Sequence, residues 1–509
     1  DHHPQDRPGT CTSRLATPIT VPSTRGTGHT CRHPIAPTIS RVSDRPSDER
    51  ATRAPDTSRK ATKPITRYEI TSVTATESEC TDGCYGARMA WDFETEPEFE
   101  EKLAWMRTFV REQIIPLETL ADQWRTPEGR AVFKRITDPM KAEVRRQGLW
   151  AAHLPPDMGG LGFGQVKLGL MHEILGQCGY APSIFGNNAP DSGNAELIAV
   201  GGTQEQKDRW MQPLLDGTIR SCFSMTEPGA GADPTLLSTT AQRDGDEWVI
   251  NGHKWFSSNA SIADFLLVMV KTGDHETPYK NYSMIIVPTD TPGVNILRDV
   301  PTMGEPDHKT GEPGGHAEIL YENVRVPFEH IIGGEAGIGQ GFALAQKRLG
   351  PGRIHHAMRW LGQSQRAFDL LCERALTRYT HGSILAEKQM VQDWIAESYA
   401  EMQAARLLTL QAAWKMDQLH AAGKHYSDAR VEIGVIKFWG AKVLYNVIDR
   451  AIQIHGSLGY TTDLPLESMY RAARAARIYD GPDEVHKVTV ARQVLKRYRA
   501  SEPSREHVP

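Results

Sequence analysis

A chain of 509 residues is long enough for two to four packed domains. With 39% hydrophobic and 24% charged residues and a net charge of −5, it reads as globular, and a nucleic-acid surface is not its dominant feature. No apolar run reaches membrane-spanning length, and the seven cysteines show no zinc-ligand spacing, so a reducing, cytoplasmic setting without a metal is expected.

Residues 1–88 are rich in Arg, Pro, Thr, Ser and His and carry neither helical nor strand periodicity. Such a stretch cannot bury enough apolar area to offset its ordering entropy, and a disordered extension is expected. Met89 is the first methionine, and MAWDFETEPEFEEKL reads like a natural start. From residue 89 to 219 the pattern is helical. Phe99, Leu103, Met106 and Val110 recur at three- and four-residue steps, LPPDMGGLGFG is a loop, and Thr203 stands as an N-cap. From 220 to 332 come short β-branched or aromatic runs: SCFSM, DEWVING, DFLLVMV, YSMIIVP, VNILRDV and AEILYENVRVP. Turns separate them, with Asp244-Gly245-Asp246 in a hairpin position, and no helices intervene. An antiparallel sheet or small barrel is predicted. Over 333–500 the spacing is helical again, with Val391, Trp394, Ile395 and Met402 on one face, and 501–509 is a tail. The predicted class is α+β: a helical domain, a middle antiparallel β-domain and a helical C-terminal domain.

Several stretches carry candidate chemistry. Met225–Asp233 follows a strand, and its glycines either let backbone N–H groups approach an electron-rich ligand or simply turn the chain. Asn251–Asn259 sets aromatics beside hydroxyls, which suits a flat ring with a polar edge as well as a core strand. Arg348, Arg353, Arg359 and Arg366 fall on or near one helix and could meet phosphates or carboxylates, although a solvated basic face is the plainer reading. His355 and His356 point to different helix faces and read as structural. Gln453–Tyr460 is a helix end with a Gly turn, where His455 suits packing. In residues 471–497 a basic helix meets a Tyr479-Asp480-Gly481-Pro482 turn, and Asp483 and Glu484 open a second helix. Asp480 is then either a carboxylate held ahead of a helix N-terminus or part of an ordinary helix–turn–helix corner.

In this order the stretches resemble the acyl-CoA dehydrogenase flavoprotein family, from about Trp91 to Tyr498. RLGPGRIHH and IYDGPDEVH are similar to the subgroup of acyl-CoA dehydrogenase family members 10 and 11. The resemblance implies a C-terminal four-helix bundle, FAD between β-domain and bundle, and a homotetramer or homodimer. By position, Phe223, Met225, Thr226, Phe256 and Ser258 match flavin contacts of the β-domain. Arg378 and Thr380 match a pair reaching FAD phosphates from an adjacent subunit, and Gln453 and Ser457 match further cofactor contacts. Arg353 matches an arginine close to the catalytic base and bound substrate, and Asp480 matches the base itself, a glutamate in most members. Aspartate reaches roughly 1.5 Å less far.

The implied reaction is α,β-dehydrogenation of a medium- to long-chain acyl-CoA in fatty-acid β-oxidation. Asp480 takes the α-proton while a hydride leaves the β-carbon for flavin. In the family a flavin ribityl hydroxyl and the base residue's own N–H hydrogen-bond the thioester oxygen. Electron-transfer flavoprotein is the implied acceptor. Two alternatives share the fold. A nitroalkane-oxidase-like flavoenzyme also uses an aspartate base and consumes O₂. A DNA-binding flavoprotein relies on a basic C-terminal face, and VLKRYRASEPSREHVP is only mildly basic, so no nucleic-acid partner is expected.

Overall fold

The computed structural model describes residues 93–499 apart from 122 and 425; the expected extension, the tail and the first four cysteines lie outside them. Helix α1 (Pro97–Phe109) begins on a proline, whose missing N–H has no intrahelical partner to lose at that position, and it buries the predicted stripe of Phe99, Leu103 and Met106. Thr126 caps α2 (Pro127–Arg146) by accepting from the Gly129 amide. The first amides of α3 (Gly164–Leu175), at Gln165 and Val166, donate to the Asp417 carboxylate. Three short helices, α4 (Ala181–Ile184), α6 (Gln204–Gln206) and α7 (Gln212–Asp216), flank α5 (Asp191–Gly201) in sequence, and α7 packs on it. Thr203 caps α6 in a reciprocal box with Gln206, as its position predicts.

The middle segment holds β1 (Ser221–Ser224), β2 (Thr240–Asp244), β3 (Glu247–Ser258), β4 (Phe265–Lys271), β5 (Tyr282–Pro288), β6 (Val294–Asp299) and β7 (His316–Pro327). They form one sheet ordered β1-β4-β2-β3-β7-β6, with β5 also on β4. Strand β2 has no apolar run and was not predicted. It pairs with β3 across the expected hairpin, where Gly245 takes φ +63°. The antiparallel expectation holds for β2–β3, β3–β7, β4–β5 and β6–β7 and needs correction for β1 and β2, each of which runs parallel to β4. A parallel pair needs a long crossover, and for β1 and β4 the β2–β3 hairpin between them in sequence supplies it. Both faces of β4 are covered. Phe265, Leu267 and Met269 pack toward α5 and α7, while Leu266, Val268 and Val270 join the core with Trp248, Ile250 and Tyr321.

Beyond Gly341 come α8 (Gly341–Thr377), α9 (Gln389–Ala421), α10 (Arg430–His455), α11 (Leu466–Ala473) and α12 (Asp483–Arg499). A small hairpin, β8 (Tyr379–Thr380) with β9 (Ser383–Ile384), joins α8 to α9. Helix α10 packs on α8, α9 and α12, giving the four-helix bundle. Helix α3 lies against α8 and α9, so the helical segments on either side of the sheet share one continuous core. Two glycines permit this approach. A Cβ on Gly362 would fall 2.1 Å from the Glu173 carbonyl oxygen, and one on Gly176 would fall 2.2 Å from that of Arg359. Among the described residues, no helix is long and apolar enough to cross a membrane, and no cluster of His, Cys, Asp or Glu could hold a metal ion.

Candidate active site

The turn between α11 and α12 is held from three sides. Asp480 takes φ +54° and Gly481 φ +95°, so the carboxylate sits on a backbone that L-residues seldom adopt. Its carbonyl oxygen accepts from Arg353 Nε of α8 at 3.1 Å and from His486 Nε2 of α12 at 3.1 Å. Lys437 of α10 is fully buried and donates Nζ to the carbonyls of Ala476 (2.6 Å) and Gly481 (3.2 Å), which bracket the turn. Its ammonium also lies 5.5 Å from the Trp360 ring and 5.3 Å from that of Tyr479. Trp360 Nε1 donates to the Tyr479 hydroxyl at 2.8 Å. Asp483 closes the first turn of α12 with Arg477 at 2.7 Å.

The Asp480 side chain is 20% exposed, and its Oδ2 lies 3.2 Å from His356 Nε2. Burial alone would raise its pKa, but His356, Arg348, Arg353 and Lys437 outweigh burial and hold the carboxyl below the ordinary value of 3.8. Burial, with Arg359 beside it, lowers His356 to about 3 despite the pull of Asp480; burial also lowers Lys437 to about 8, against the pull of Asp480 and Asp483. Arg359 also reaches His172, whose ring stacks on His355 with centroids 4.3 Å apart.

The expectation of a solvated basic face on α8 is therefore corrected. Arg348, Arg353 and Arg359 turn toward the site, and Arg366 is engaged by Glu118 at 2.7 Å and the Gln177 carbonyl at 2.9 Å. His355 and His356 do face different ways, as predicted, with His355 meeting Gln165 at 3.2 Å. His356 is nevertheless more than structural in placement, since it touches the candidate base. His455 is satisfied by the Ala451 carbonyl at 2.7 Å.

Arg348 also links the turn to the sheet. Its guanidinium lies 4.2 Å from the Phe223 ring, and its Nε is buried without a hydrogen-bond partner. Phe223 on β1 leads into Met225 and Thr226, and the Trp255 amide donates to the Thr226 carbonyl at 3.0 Å, setting the two β-domain motifs side by side. A register shift between Lys254 and Ser257 throws Trp255 and Phe256 out of the ladder; Phe256 takes φ +54° and is 43% exposed. Ser258 Oγ meets His316 Nδ1 at 2.9 Å. The structure thus brings the end of β1, with Phe223, Met225 and Thr226, beside the end of β3, with Phe256 and Ser258, and Arg348 of α8 lies against Phe223. Arg378, Thr380, Gln453 and Ser457 are not gathered there. Arg378, Gln453 and Ser457 are exposed, and Thr380 is half-buried in the α8–α9 hairpin.

Sequence reasoning missed Lys437, which lies within apolar helical spacing and has no motif of its own, and gave no role to His486, the last residue of IYDGPDEVH. Only the hydrogen bonds they donate to the turn mark them.

The sheet, the bundle and an aspartate on the turn between α11 and α12 define a class of protein. Profiles of the acyl-CoA dehydrogenase family match three consecutive stretches: its N-terminal domain over residues 96–218, its middle domain over 222–315 and its C-terminal domain over 339–495. The chain belongs to this family, whose members are oxidoreductases acting on CH–CH donors and carry FAD. Within it, the chain is 40% identical over 405 residues to acyl-CoA dehydrogenase family member 11 of Pongo abelii, covering 78% of this chain and 50% of that protein. It is 41% identical over 399 residues to the Mycobacterium tuberculosis protein named "Probable acyl-CoA dehydrogenase FadE2", covering 77% and 94%. An acyl-CoA dehydrogenase-type structure from Mycobacterium abscessus superimposes with a TM-score of 0.72 at 38% identity, over 80% of this chain and 100% of that one. The chain thus spans about half the length of the family member 11 proteins it matches.

Proposed function

We propose that this chain is an FAD-dependent acyl-CoA dehydrogenase in which Asp480 removes the α-proton of a medium- to long-chain acyl-CoA, as in fatty-acid β-oxidation. The observation that carries the reading is the Asp480 turn. A carboxylate kept ionised by surrounding cations is aimed by a strained, triply anchored backbone at the edge between bundle and sheet.

The residues present fit the cofactor. An exposed aromatic lifted from the ladder at Phe256, the Thr226 and Ser258 hydroxyls and the backbone after β1 suit a flat ring with a polar edge, and Arg348 offers a buried, unpaired N–H nearby. Phe223, Met225, Thr226, Phe256 and Ser258 would hold it from this copy. Arg378, Thr380, Gln453 and Ser457, exposed or half-buried on the bundle, would serve the cofactor of a neighbouring copy in a homotetramer or homodimer. FAD, when bound, supplies the acceptor for the hydride that leaves the β-carbon.

Neither oxygen of the Asp480 carboxylate makes a hydrogen bond among the described residues; Oδ2 has His356 Nε2 at 3.2 Å, and Oδ1 is the oxygen that takes the proton. Among those residues the Asp480 N–H has no backbone acceptor either, which leaves it for the thioester oxygen as negative charge grows there. Arg353 anchors the turn by Nε, and this tie to the base residue supports its assignment as a substrate contact. Electron-transfer flavoprotein is the proposed acceptor and the cytoplasm the proposed compartment.

The test is anaerobic bleaching of the FAD-loaded protein by butyryl-, octanoyl- and palmitoyl-CoA, with Asp480→Asn alongside. One chain-length class should bleach the flavin, with a loss of about 10²–10⁴-fold in the variant. An oxidised flavin with every thioester would refute the reading, and bleaching by nitroalkanes with O₂ uptake would replace it.

A further inference from the structure

We propose that His356 is a positioning residue for the base, and that Arg359 holds its imidazole with Nε2–H on the side of Asp480 Oδ2, which leaves Oδ1 for the α-proton. The inference rests on the assignment of Asp480 as base and goes beyond it.

The argument begins with donors. A guanidinium has only N–H groups to offer. Arg359 Nη2 lies 3.0 Å from His356 Nδ1, so that nitrogen must accept and cannot carry a proton. The proton of the ring is therefore on Nε2, the nitrogen that lies 3.2 Å from Asp480 Oδ2, so the imidazole turns its N–H edge to the carboxylate. Protonating Nδ1 as well would set an imidazolium N–H against the Arg359 N–H. The depression of His356 to about 3 agrees with a neutral ring at working pH. Arg359 is itself braced, since its Nη1 lies 3.2 Å from His172 Nδ1. Trp360 and Tyr479 flank the imidazole, with ring centroids 6.2 and 5.0 Å away.

A neutral donor of this kind does two things for a short base. It removes the carboxylate's freedom to rotate, which matters more for aspartate than for a longer glutamate. It also stabilises the ionised form without placing a second proton where the substrate's must go, because the His356 proton stays on Nε2 throughout. The other charged or titratable groups around Asp480 are Arg348, Arg353 and Arg359 from α8, Lys437 from α10, Tyr479 from the turn itself, and Asp483 and His486 from α12. All remain when His356 is changed.

The experiment compares the FAD-loaded wild type with His356→Phe, which keeps a ring and loses the donor, and His356→Gln, which restores an N–H. Flavin reduction by the best acyl-CoA of the three-member panel is followed by stopped flow across pH. His356→Phe should reduce on the order of 10- to 100-fold more slowly, the range for a hydrogen bond to a charged group. Apparent substrate affinity should change less than about threefold, and the acid limb should move up by about one pH unit. The sign follows from the donor favouring the carboxylate, so its loss raises the pKa of Asp480. His356→Gln should recover most of the rate and return the limb. Imidazole ¹⁵N spectra give an independent readout: the signal lost in His356→Gln should belong to a neutral Nε2–H tautomer.

Wild-type rate and limb in His356→Phe, equal loss in both variants with an unmoved limb, or an Nδ1-protonated ring would overturn the proposal. Failure of the base assignment looks different. Asp480→Asn would then reduce at the wild-type rate whatever His356 does.

Discussion

Lys254 and Glu227 offer the sharpest test of how the cofactor-side loop is held. The two side chains are 0% and 4% exposed and pair at 2.9 Å. Lys254 Nζ also donates to the Met225 carbonyl at 2.7 Å. Glu227 accepts from the Ser238 amide (2.8 Å), the Ser238 hydroxyl (2.7 Å) and the Thr239 amide (2.9 Å). Burial would raise the Glu227 carboxyl, yet Lys254 and the Thr239 and Ser238 donors bring it from 4.5 down to about 2. Burial lowers Lys254 from 10.5 to about 8 against the pull of Glu227. At about 1.4 kcal/mol for each pKa unit, the first contributes roughly 3 kcal/mol at neutral pH and the second costs about as much. The intact pair is then close to neutral, and what it contributes is geometry: it ties Met225 on the β1 side to Ser238 and Thr239 beyond the turn.

Breaking the pair is another matter. Lys254→Met leaves a buried carboxylate without its cation and should cost about 3–5 kcal/mol. Glu227→Gln should cost a similar amount, whereas the double variant should recover most of the loss. The assay is a double-mutant cycle on the thermal midpoint, with FAD content measured in each protein. The Glu227 contribution is present above 4.5 and is lost as pH falls toward about 2, so the advantage of the wild type over Glu227→Gln should shrink across that window. The Lys254 cost is present below about 8 and fades as pH rises toward 10.5. A coupling below about 1 kcal/mol, or single variants with full FAD and an unchanged midpoint, would refute the reasoning.

Gly481→Ala should slow flavin reduction by about tenfold or more: φ is +95°, and a Cβ would fall 2.8 Å from His486 Nε2, one of the two donors to the Asp480 carbonyl. An alanine variant with wild-type kinetics would show that the turn tolerates the strain. Lys437→Met removes two charge-assisted bonds to that turn and should lower the reduction rate more than the substrate affinity, as single-turnover kinetics would reveal. Arg471 joins α11 to the carbonyls of Met303 (3.0 Å) and Gly304 (2.8 Å), so Arg471→Ala should speed proteolysis within residues 300–315 while flavin content holds. Because its neighbours hold Asp480 below 3.8, the acid limb for the free wild-type enzyme should lie below that value; a limb between pH 5 and 7 would mean that burial dominates.

Local order was largely legible from the chain itself. The stripe of Phe99, Leu103 and Met106, the Thr203 cap, the Gly245 hairpin and the turn at Gly481 each depend on neighbours a few residues away, and helical or strand period and backbone preference are encoded at that range. Asp480 was legible for the same reason, since a glycine and a proline beside it specify a turn before a helix. What the fold alone decided is where separated residues meet. Strand β2 is nearly all polar and earns its place by pairing with β3. Strands β1 and β2 both run parallel to β4, a pairing between separated segments that the strand pattern alone does not record. The arginines of α8 looked like a solvated stripe, yet three of them turn inward, because α3, the sheet and the Asp480 turn enclose that face and buried cations seek buried acceptors. His356, Lys437 and His486 come from three helices, up to 130 residues apart in sequence, and converge on one turn. Spacing along the chain carries no record of that meeting, because a hydrogen bond between helices depends on how their cores pack.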